Sequence, residues 1–353
     1  MWPVFDARNF AQLGAAYASS RRSGHIRSLA EQKMVYSTVE AYLLTLAALD
    51  SHRLAVAEVR ALQERSRDIA ARLQRGLGND SERDEADARL ARAQSQQIAA
   101  AAAVGEAFAA LRRVTGEDVE GLYTLRGGFA MSRPDPGSAE AWVAAAISGN
   151  PELKALEETS TEAKYLLGKA IGQNLPRVDL RYTENYLDSG GSLYGGGART
   201  DERNVSLRLT IPLFNPDGQG YPMFAAKEKY SESQYNVDDR RRTVEEKVRT
   251  AYLEVLSNAT RDGVLVKGAT LQRKLTLSLR ERFRAGLGTS TAILDAERDY
   301  FRAEREVLSG RYNYLLNMMQ LKQLSGLISV GDIGYVNSLL NTSGKPIGRI
   351  SLR

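Results

Sequence analysis

Two short stretches, Gln74-Arg75-Gly76-Leu77-Gly78 and Arg284-Ala285-Gly286-Leu287-Gly288, interrupt the chain in the same way. They lie 210 residues apart, and this offset is constant along the repeat, so neither copy has an insertion relative to the other. Other positions recur at the same offset: Ala41-Tyr42 with Ala251-Tyr252, and Gly116 with Gly326. A repeat of this length indicates one structural unit used twice. The unit consists of a long helical run, a Gly-Leu-Gly break and a second helical run.

The runs before each break predict very long helices. Residues 10–75 and 223–285 contain no proline, and at 1.5 Å per residue each helix would be roughly 90–100 Å long. Apolar residues in both runs follow the alternating three- and four-residue spacing of helix-on-helix packing. They are Val39, Tyr42, Leu46 and Leu49 in the first copy, and Val248, Tyr252, Val255 and Ala259 in the second.

The returning helices carry two parallel heptad rows, one of large and one of small residues. The large row is Ile293, Tyr300, Val307, Tyr314 and Leu321, and the small rows are Ala296, Ala303 and Gly310, with Ala86, Ala93, Ala100 and Ala107 in the first copy. Small residues let helices approach closely on both flanks, which favours a curved helical wall. A plain antiparallel coiled coil remains the alternative at this point.

The glycines at each break have a conformational reason. Gly76 and Gly286 follow long helices, where the chain commonly adopts a positive φ that glycine accepts without strain. Side-chain oxygens follow at once, from Asn79 and Asp80 and from the run Thr289 to Thr291, and these can cap the next helix. Each break is therefore predicted to be an exposed helix-turn-helix tip.

Between Pro176 and Phe214 the apolar period changes to two. Val178, Leu180 and Tyr182 alternate with polar residues, and so do Val205, Leu207, Leu209, Ile211 and Leu213. These segments predict two strands with one apolar face each, joined by a Gly-rich solvent-facing loop over 188–203. Such strands are typical of a membrane-spanning barrel, although a soluble hairpin packed on helices is the alternative.

Composition excludes several classes of function. The chain has no cysteine and two histidines without a carboxylate cluster, so we expect no metal and no cofactor. The net charge of +5 comes from Lys and Arg interleaved with Asp and Glu, which indicates solvated helix faces and no nucleic-acid partner. No nucleophile-base pair or phosphate-binding loop is recognisable, and we expect no enzymatic activity.

Five motifs in order extend this picture: Trp2–Phe5, Leu111–Gly116, Ile211–Phe214, Arg282–Glu297 and Ala303–Gly326. With these motifs the chain resembles the TolC family, the outer-membrane exit ducts of Gram-negative tripartite efflux and type I secretion systems. The resemblance implies a mainly α fold with a small β part. In it, the helical hairpins of a homotrimer form a long α-helical barrel in the periplasm, joined to a transmembrane β-barrel in the outer membrane.

The resemblance also implies partners and sites. A periplasmic adaptor protein would dock on the tips, through Gly76, Leu77, Gly78, Gly286, Leu287 and Gly288, and an inner-membrane pump of the ABC or RND type would supply energy. By position Asp295, Glu82 and Phe283 are candidates for the pore constriction. Ala292, Phe283 and Gly288 stand where the best-known members carry an Asp, a Tyr and an Arg, so the usual closing network is expected to be largely absent.

The predicted segments cover the whole chain. They are a strand remnant at 1–6, a first hairpin at 7–125 with its tip at 74–80, a linker at 126–137, a leading helix at 138–174, a transmembrane β-hairpin at 175–214, a second hairpin at 215–326 with its tip at 284–290, and a tail at 327–353. Because the second copy has about 73 residues before its Ile-Pro-Leu-Phe junction and the first has one before Trp2, the chain is expected to be incomplete at its N-terminus.

Two questions of function remain open in the sequence. Type I protein secretion is favoured over multidrug efflux because the carboxy-terminal half, including Gly331-Asp332-Ile333, is most similar to secretion members. The alternative class is a soluble coiled-coil scaffold or interaction protein, which would not depend on detergent.

Overall fold

The computed structural model describes residues 2–126, 129–191, 194–212, 220–343 and 346–348. Some predicted features lie outside these described residues. They are Leu213 and Phe214 of the strand-to-helix junction, Ser192 and Leu193 of the hairpin loop, Gly127 and Gly128 of the linker, and residues 344–345 and 349–353 of the tail.

The described chain is mainly helical with a small β part. In chain order its elements are β1 (Trp2–Phe5), α1 (Ala7–Gln74), α2 (Asp80–Thr115), β2 (Gly121–Leu122), α3 (Ala139–Gly149), α4 (Pro151–Gly172), β3 (Arg177–Ser189), β4 (Ala198–Thr210), α5 (Tyr221–Arg284), α6 (Ser290–Leu324), α7 (Val330–Ser338) and β5 (Ile347–Gly348). No helix in these ranges is both long enough and apolar enough to cross a lipid bilayer.

The residues group into two compact units. Unit 1 contains Met1–Leu29 and Pro151–Thr243, and unit 2 contains Ala30–Asn150 and Val244–Arg353. Unit 1 holds a three-stranded antiparallel sheet in the order β1-β3-β4. Strands β3 and β4 pair residue for residue from Arg177↔Thr210 to Ser189↔Ala198.

On one face of the β3–β4 pair, the half next to Arg177 and Thr210 is apolar, and the half toward the turn carries the charged pairs Glu184–Arg203 and Asp188–Arg199. Leu180 pairs with Leu207, and Tyr182 pairs with Val205, so these side chains share a face. Tyr182, Val205, Leu207 and Leu209 are all exposed. These apolar side chains are therefore not covered by the described residues.

The strands are longer than the sequence pattern predicts. The segment 188–203 was expected to be a loop, but β3 continues to Ser189 and β4 begins at Ala198. Cross-strand ion pairs extend the ladder, since Arg203 Nε lies 3.0 Å from Glu184 Oε1 and Arg199 Nε lies 3.0 Å from Asp188 Oδ2. Opposite charges facing each other stabilise a pair of strands without apolar alternation.

The single leading helix predicted over 138–174 is wrong in one respect, because two helices occupy the segment. Helix α3 ends at Gly149, and Asn150 has extended backbone angles, φ −64° and ψ 117°. Pro151 then begins α4. A residue before proline avoids the helical region, and proline is well suited to the first position of a helix.

Unit 2 contains the greater part of the two helical hairpins, with α1 from Ala30 and α5 from Val244 onward and with all of α2 and α6. Its main apolar core includes Leu43, Phe108, Val248, Tyr314 and Leu315, all at most 2% exposed. A smaller cluster lies toward the Gly-Leu-Gly breaks and consists of Val59, Leu62, Ile69, Ala86, Ala93 and Leu294. Strands β2 and β5 pair with each other, so part of the predicted tail is ordered against the segment after α2.

Candidate functional site at the helical tips

The two Gly-Leu-Gly breaks have the same backbone geometry. Gly76 and Gly286 adopt φ angles of 72° and 78°. The amide of Leu77 donates to the carbonyl oxygen of Arg72 at 3.0 Å, and the amide of Leu287 donates to that of Arg282 at 2.9 Å. This bond between the third residue past the helix and its last turn is the Schellman arrangement. Each long helix therefore ends by the same hydrogen-bonded turn.

The returning helices also begin alike. The side chain of Asn79 accepts a hydrogen bond from the amide of Glu82, and that of Thr289 accepts one from the amide of Ala292. Both residues have extended backbone angles, as N-cap residues do. The predicted caps thus hold the two tips in matching conformations.

Both tips present an apolar side chain to solvent. Leu77 is 62% exposed and Leu287 is 71% exposed. Gly76 and Gly286 have no atom within 4 Å of where a Cβ would stand. The turns are accessible both at their backbone and at one leucine each.

Asp295, a predicted constriction residue, has a partner that the sequence did not indicate. Its Oδ1 accepts hydrogen bonds from both terminal nitrogens of Arg89 on α2, each at 3.0 Å. Arg298 lies 3.1 Å from the same oxygen. Arg298 also lowers the pKa of Asp299, to whose carboxylate it donates a hydrogen bond of 2.9 Å. The Asp295 carboxylate therefore lies among arginines, although its side chain is 42% exposed.

Phe283 does not have the surroundings expected of a residue that lines a passage. It is 4% exposed. The guanidinium of Arg72 lies 4.3 Å from its ring centroid. The ring packs within the chain between the two hairpins, which makes it a packing residue at the tip. Glu82 lies in the first turn of α2 and is half-buried.

A buried ion cluster joins the two hairpins further from the tips. Glu297 is 1% exposed and Arg65 is 4% exposed. Oε1 of Glu297 lies 3.2 Å from Nη2 of Arg65 and 2.8 Å from Nη2 of Arg280. The sequence holds a signal for this cluster, because Glu297 falls between Ile293 and Phe301 on the apolar side of α6. Arg65 falls likewise between Leu62 and Ile69 on α1.

Two more contacts link α2 with α6 and α1 with α5. Thr291 donates to Glu85 at 3.1 Å, and Nη1 of Arg72 donates to the carbonyl oxygen of Phe283 at 3.1 Å. No group of three or more metal-ligating side chains occurs anywhere in the described ranges. Hydrogen bonds and ion pairs thus join the helices of both hairpins near the tips.

Comparison with known proteins agrees with this geometry. The family model described as "Outer membrane efflux protein" matches residues 142–327. The alkaline protease secretion protein AprF of Pseudomonas aeruginosa is 27% identical over 336 residues, which are 95% of this chain and 70% of AprF. The outer membrane protein TolC of Vibrio cholerae is 24% identical over 354 residues, 97% of this chain and 78% of that protein.

A solved structure shows the same fold. The outer membrane channel CmeC of Campylobacter jejuni superposes with a TM-score of 0.78 at 17% identity, over 95% of this chain and 72% of CmeC. The family model over residues 142–327, together with the curated relatives, identifies an outer-membrane channel of Gram-negative efflux or type I secretion systems, a transporter and not an enzyme. The chain belongs to the outer membrane efflux protein family, of which TolC is a member. Family membership decides against the soluble coiled-coil scaffold.

Proposed function

We propose that this chain forms the passive exit duct of a type I protein secretion system, as one subunit of a homotrimer. The 27% identical relative is named for alkaline protease secretion, and this favours protein export over small-molecule efflux. An ABC-type inner-membrane pump would then supply the energy. In multidrug efflux the pump would be of the RND type.

The uncovered apolar side chains of β3 and β4 support a shared β-barrel in the outer membrane. Two strands cannot close alone in lipid, because their edge groups would lack hydrogen-bond partners. Three chains that each contribute strands remove those edges. The helical hairpins of the three chains would likewise form the wall of the periplasmic tunnel together.

One observation carries the docking proposal, namely the pair of matched tips with exposed Leu77 and Leu287. We expect a periplasmic adaptor to bind there, with Gly76, Gly78, Gly286 and Gly288 allowing its backbone to approach closely. The test is Leu77→Asp with Leu287→Asp in the native host, with mass spectrometry of the culture medium as readout. Exported proteins should disappear from the medium while trimers, seen by chemical cross-linking, persist in the outer membrane.

The matched control keeps an apolar side chain at both positions. Leu77→Met with Leu287→Met should preserve export, because the contact remains. Normal export by the Asp variant would remove the docking assignment. Increased drug sensitivity of a deletion strain, with an unchanged set of exported proteins, would instead favour multidrug efflux.

We further propose that Asp295 lines the constriction, with Glu82 close by. Since Arg89 holds Asp295, the three carboxylates of a trimer would act as paired and not as free charges. Asp295→Ala should reduce cation selectivity and weaken block by trivalent cations in single-channel recordings. Arg89→Ala should have the opposite effect on selectivity, because it frees the carboxylate. Unchanged selectivity in both variants would show that Asp295 faces the wall.

A further inference from the structure

A cavity of about 320 Å³ lies between α1, α2 and α6 in unit 2. Five arginines line it, namely Arg89 and Arg92 on α2 and Arg298, Arg302 and Arg305 on α6. The α6 arginines are spaced four and three residues apart, so they share one side of the helix. From Arg298 to Arg305 this row extends roughly 10 Å along the helix axis.

The carboxylates of the cavity do not neutralise all of these arginines. Only two carboxylates line it, Glu58 and Glu297. Glu58 accepts a hydrogen bond from Arg305 at 2.7 Å. The Oε1 of Glu297 binds Arg65 and Arg280, neither of which lines the cavity. Both acids are therefore engaged before any ligand arrives.

Two arginines of the cavity remain available. Within the described ranges Arg92 forms no hydrogen bond or ion pair and is exposed. Arg302 meets the Asp299 carboxylate only at 3.8 Å, beyond hydrogen-bond distance, and its side chain is 61% exposed. Arg89, by contrast, is held by Glu85 and Asp295. Among the described residues, a guanidinium group without a partner on α2 and a loosely paired one on α6 thus border the cavity.

The floor of the cavity is apolar. Leu62, Ala93, Leu294 and Phe301 line it and are all at most 7% exposed. Low-dielectric walls around charges of one sign strengthen the field in a cleft. Guanidinium groups are also suited to bidentate hydrogen bonds with carboxylate and phosphate.

We propose that this cavity binds a small polyanion whose carboxylate or phosphate groups reach both Arg92 on α2 and Arg302 on α6. Arg92 and Arg302 supply the direct contacts, whereas Arg298 is already paired with Asp295 and Asp299. The ligand shares its chemistry with an acidic peptide segment and with a short polyphosphate. The site lies apart from the Gly-Leu-Gly tips and does not depend on adaptor docking.

Isothermal titration of the full chain in detergent at low salt tests the proposal. Hexaglutamate and tripolyphosphate are the two probes, and hexaglutamine is the neutral control that should not bind. Arg92→Gln with Arg302→Gln should weaken binding of the probes at least about tenfold, the ratio that corresponds to 1.4 kcal/mol. Arg92→Lys with Arg302→Lys should retain most of it, because the charge remains.

The matched control changes two exposed arginines outside the cavity. Arg83→Gln with Arg282→Gln removes the same charge and should leave binding unchanged. Binding of hexaglutamate alone would assign the site to acidic peptides, and binding of tripolyphosphate alone would assign it to phosphate compounds. The proposal is overturned if neither probe saturates the wild-type protein, or if the Arg92 and Arg302 glutamine variant binds as tightly as wild type.

Discussion

Arg72 contacts Phe283 in two ways at once. Its guanidinium carbon lies 4.3 Å from the ring centroid, while its Nη1 donates to the carbonyl oxygen of the same residue at 3.1 Å. Arg72 lies in the last turn of α1, and Phe283 lies at the end of α5. The ends of the two long helices are therefore joined by one cation–π contact and one hydrogen bond.

Phe283→Ala should loosen the tip region. A buried Phe replaced by Ala commonly costs about 3–5 kcal/mol, and here the Arg72 contact is lost as well. Hydrogen–deuterium exchange of residues 70–80 and 280–290 should become faster. Leu287→Ala, at an exposed position in the same tip, is the control and should leave exchange nearly unchanged. Equal exchange in the two variants would contradict the packing role of Phe283.

Gly76→Ala should destabilise the first tip, whereas Gly78→Ala should not. Gly76 has a φ of 72°, and a side chain in this region costs about 1–2 kcal/mol. Gly78 does not have a positive φ, and the nearest atom to a Cβ there lies 3.7 Å away. Local opening free energies from hydrogen exchange should separate the two variants. Similar losses of opening free energy in both variants would show that the turn does not depend on the positive φ of Gly76.

Gly326→Ala should cost more than Gly116→Ala, although the two positions are equivalent in the repeat. Both have positive φ, 70° and 75°. A Cβ at Gly326 would stand 2.5 Å from the carbonyl oxygen of Gly149, whereas a Cβ at Gly116 would have no atom within 4 Å. Overpacking of this kind adds about 1–3 kcal/mol. The midpoints of thermal unfolding of the two variants test this prediction, and a lower midpoint for Gly116→Ala than for Gly326→Ala would contradict it.

Glu297→Gln should strongly destabilise the helices around it. Removing one member of a buried ion cluster leaves the others uncompensated and costs about 3–5 kcal/mol. Asp299→Asn is the control, because the Asp299 side chain is 41% exposed and exposed pairs contribute about 0–1 kcal/mol. Urea denaturation followed by circular dichroism measures both. A Glu297→Gln protein as stable as Asp299→Asn would show that the cluster is dispensable.

The phenol of Tyr36 should titrate well above the usual range of a tyrosine. Burial, with a further contribution from Glu40, raises its pKa to about 12. Because the folded-state pKa exceeds the unfolded value of about 10, this stabilising contribution is complete below pH 10. It is lost as the pH rises through 12. The absorbance difference between wild type and Tyr36→Phe at 295 nm should therefore appear near pH 12, and a difference centred near pH 10 would disprove the shift.

Local sequence rules predict the tips but not the contacts between them. Gly76 and Gly286 could be assigned positive φ because helix ends favour glycine there, and both have it. The Arg89–Asp295 pair could not be found in this way, since its residues are 206 positions apart and meet only through the packing of α2 against α6. The contact of Phe283 with Arg72 of the other hairpin is out of reach of local rules for the same reason.

Two errors had signals that were present in the sequence. Asn150-Pro151 marks a helix boundary because proline restrains the residue before it. Apolar alternation alone does not reach the charged ends of β3 and β4, yet Glu184 faces Arg203 with opposite charge. The register of that hairpin becomes clear only once the two strands are aligned.

The matched turns separate folding from recognition at each tip. The backbone path is set by Gly76 and Gly286 and by the capping oxygens of Asn79 and Thr289, whereas Leu77 and Leu287 project outward without supporting the turn. A change at either leucine should therefore leave the hairpin intact, so that an effect of such a change on export would report on the proposed adaptor contact alone.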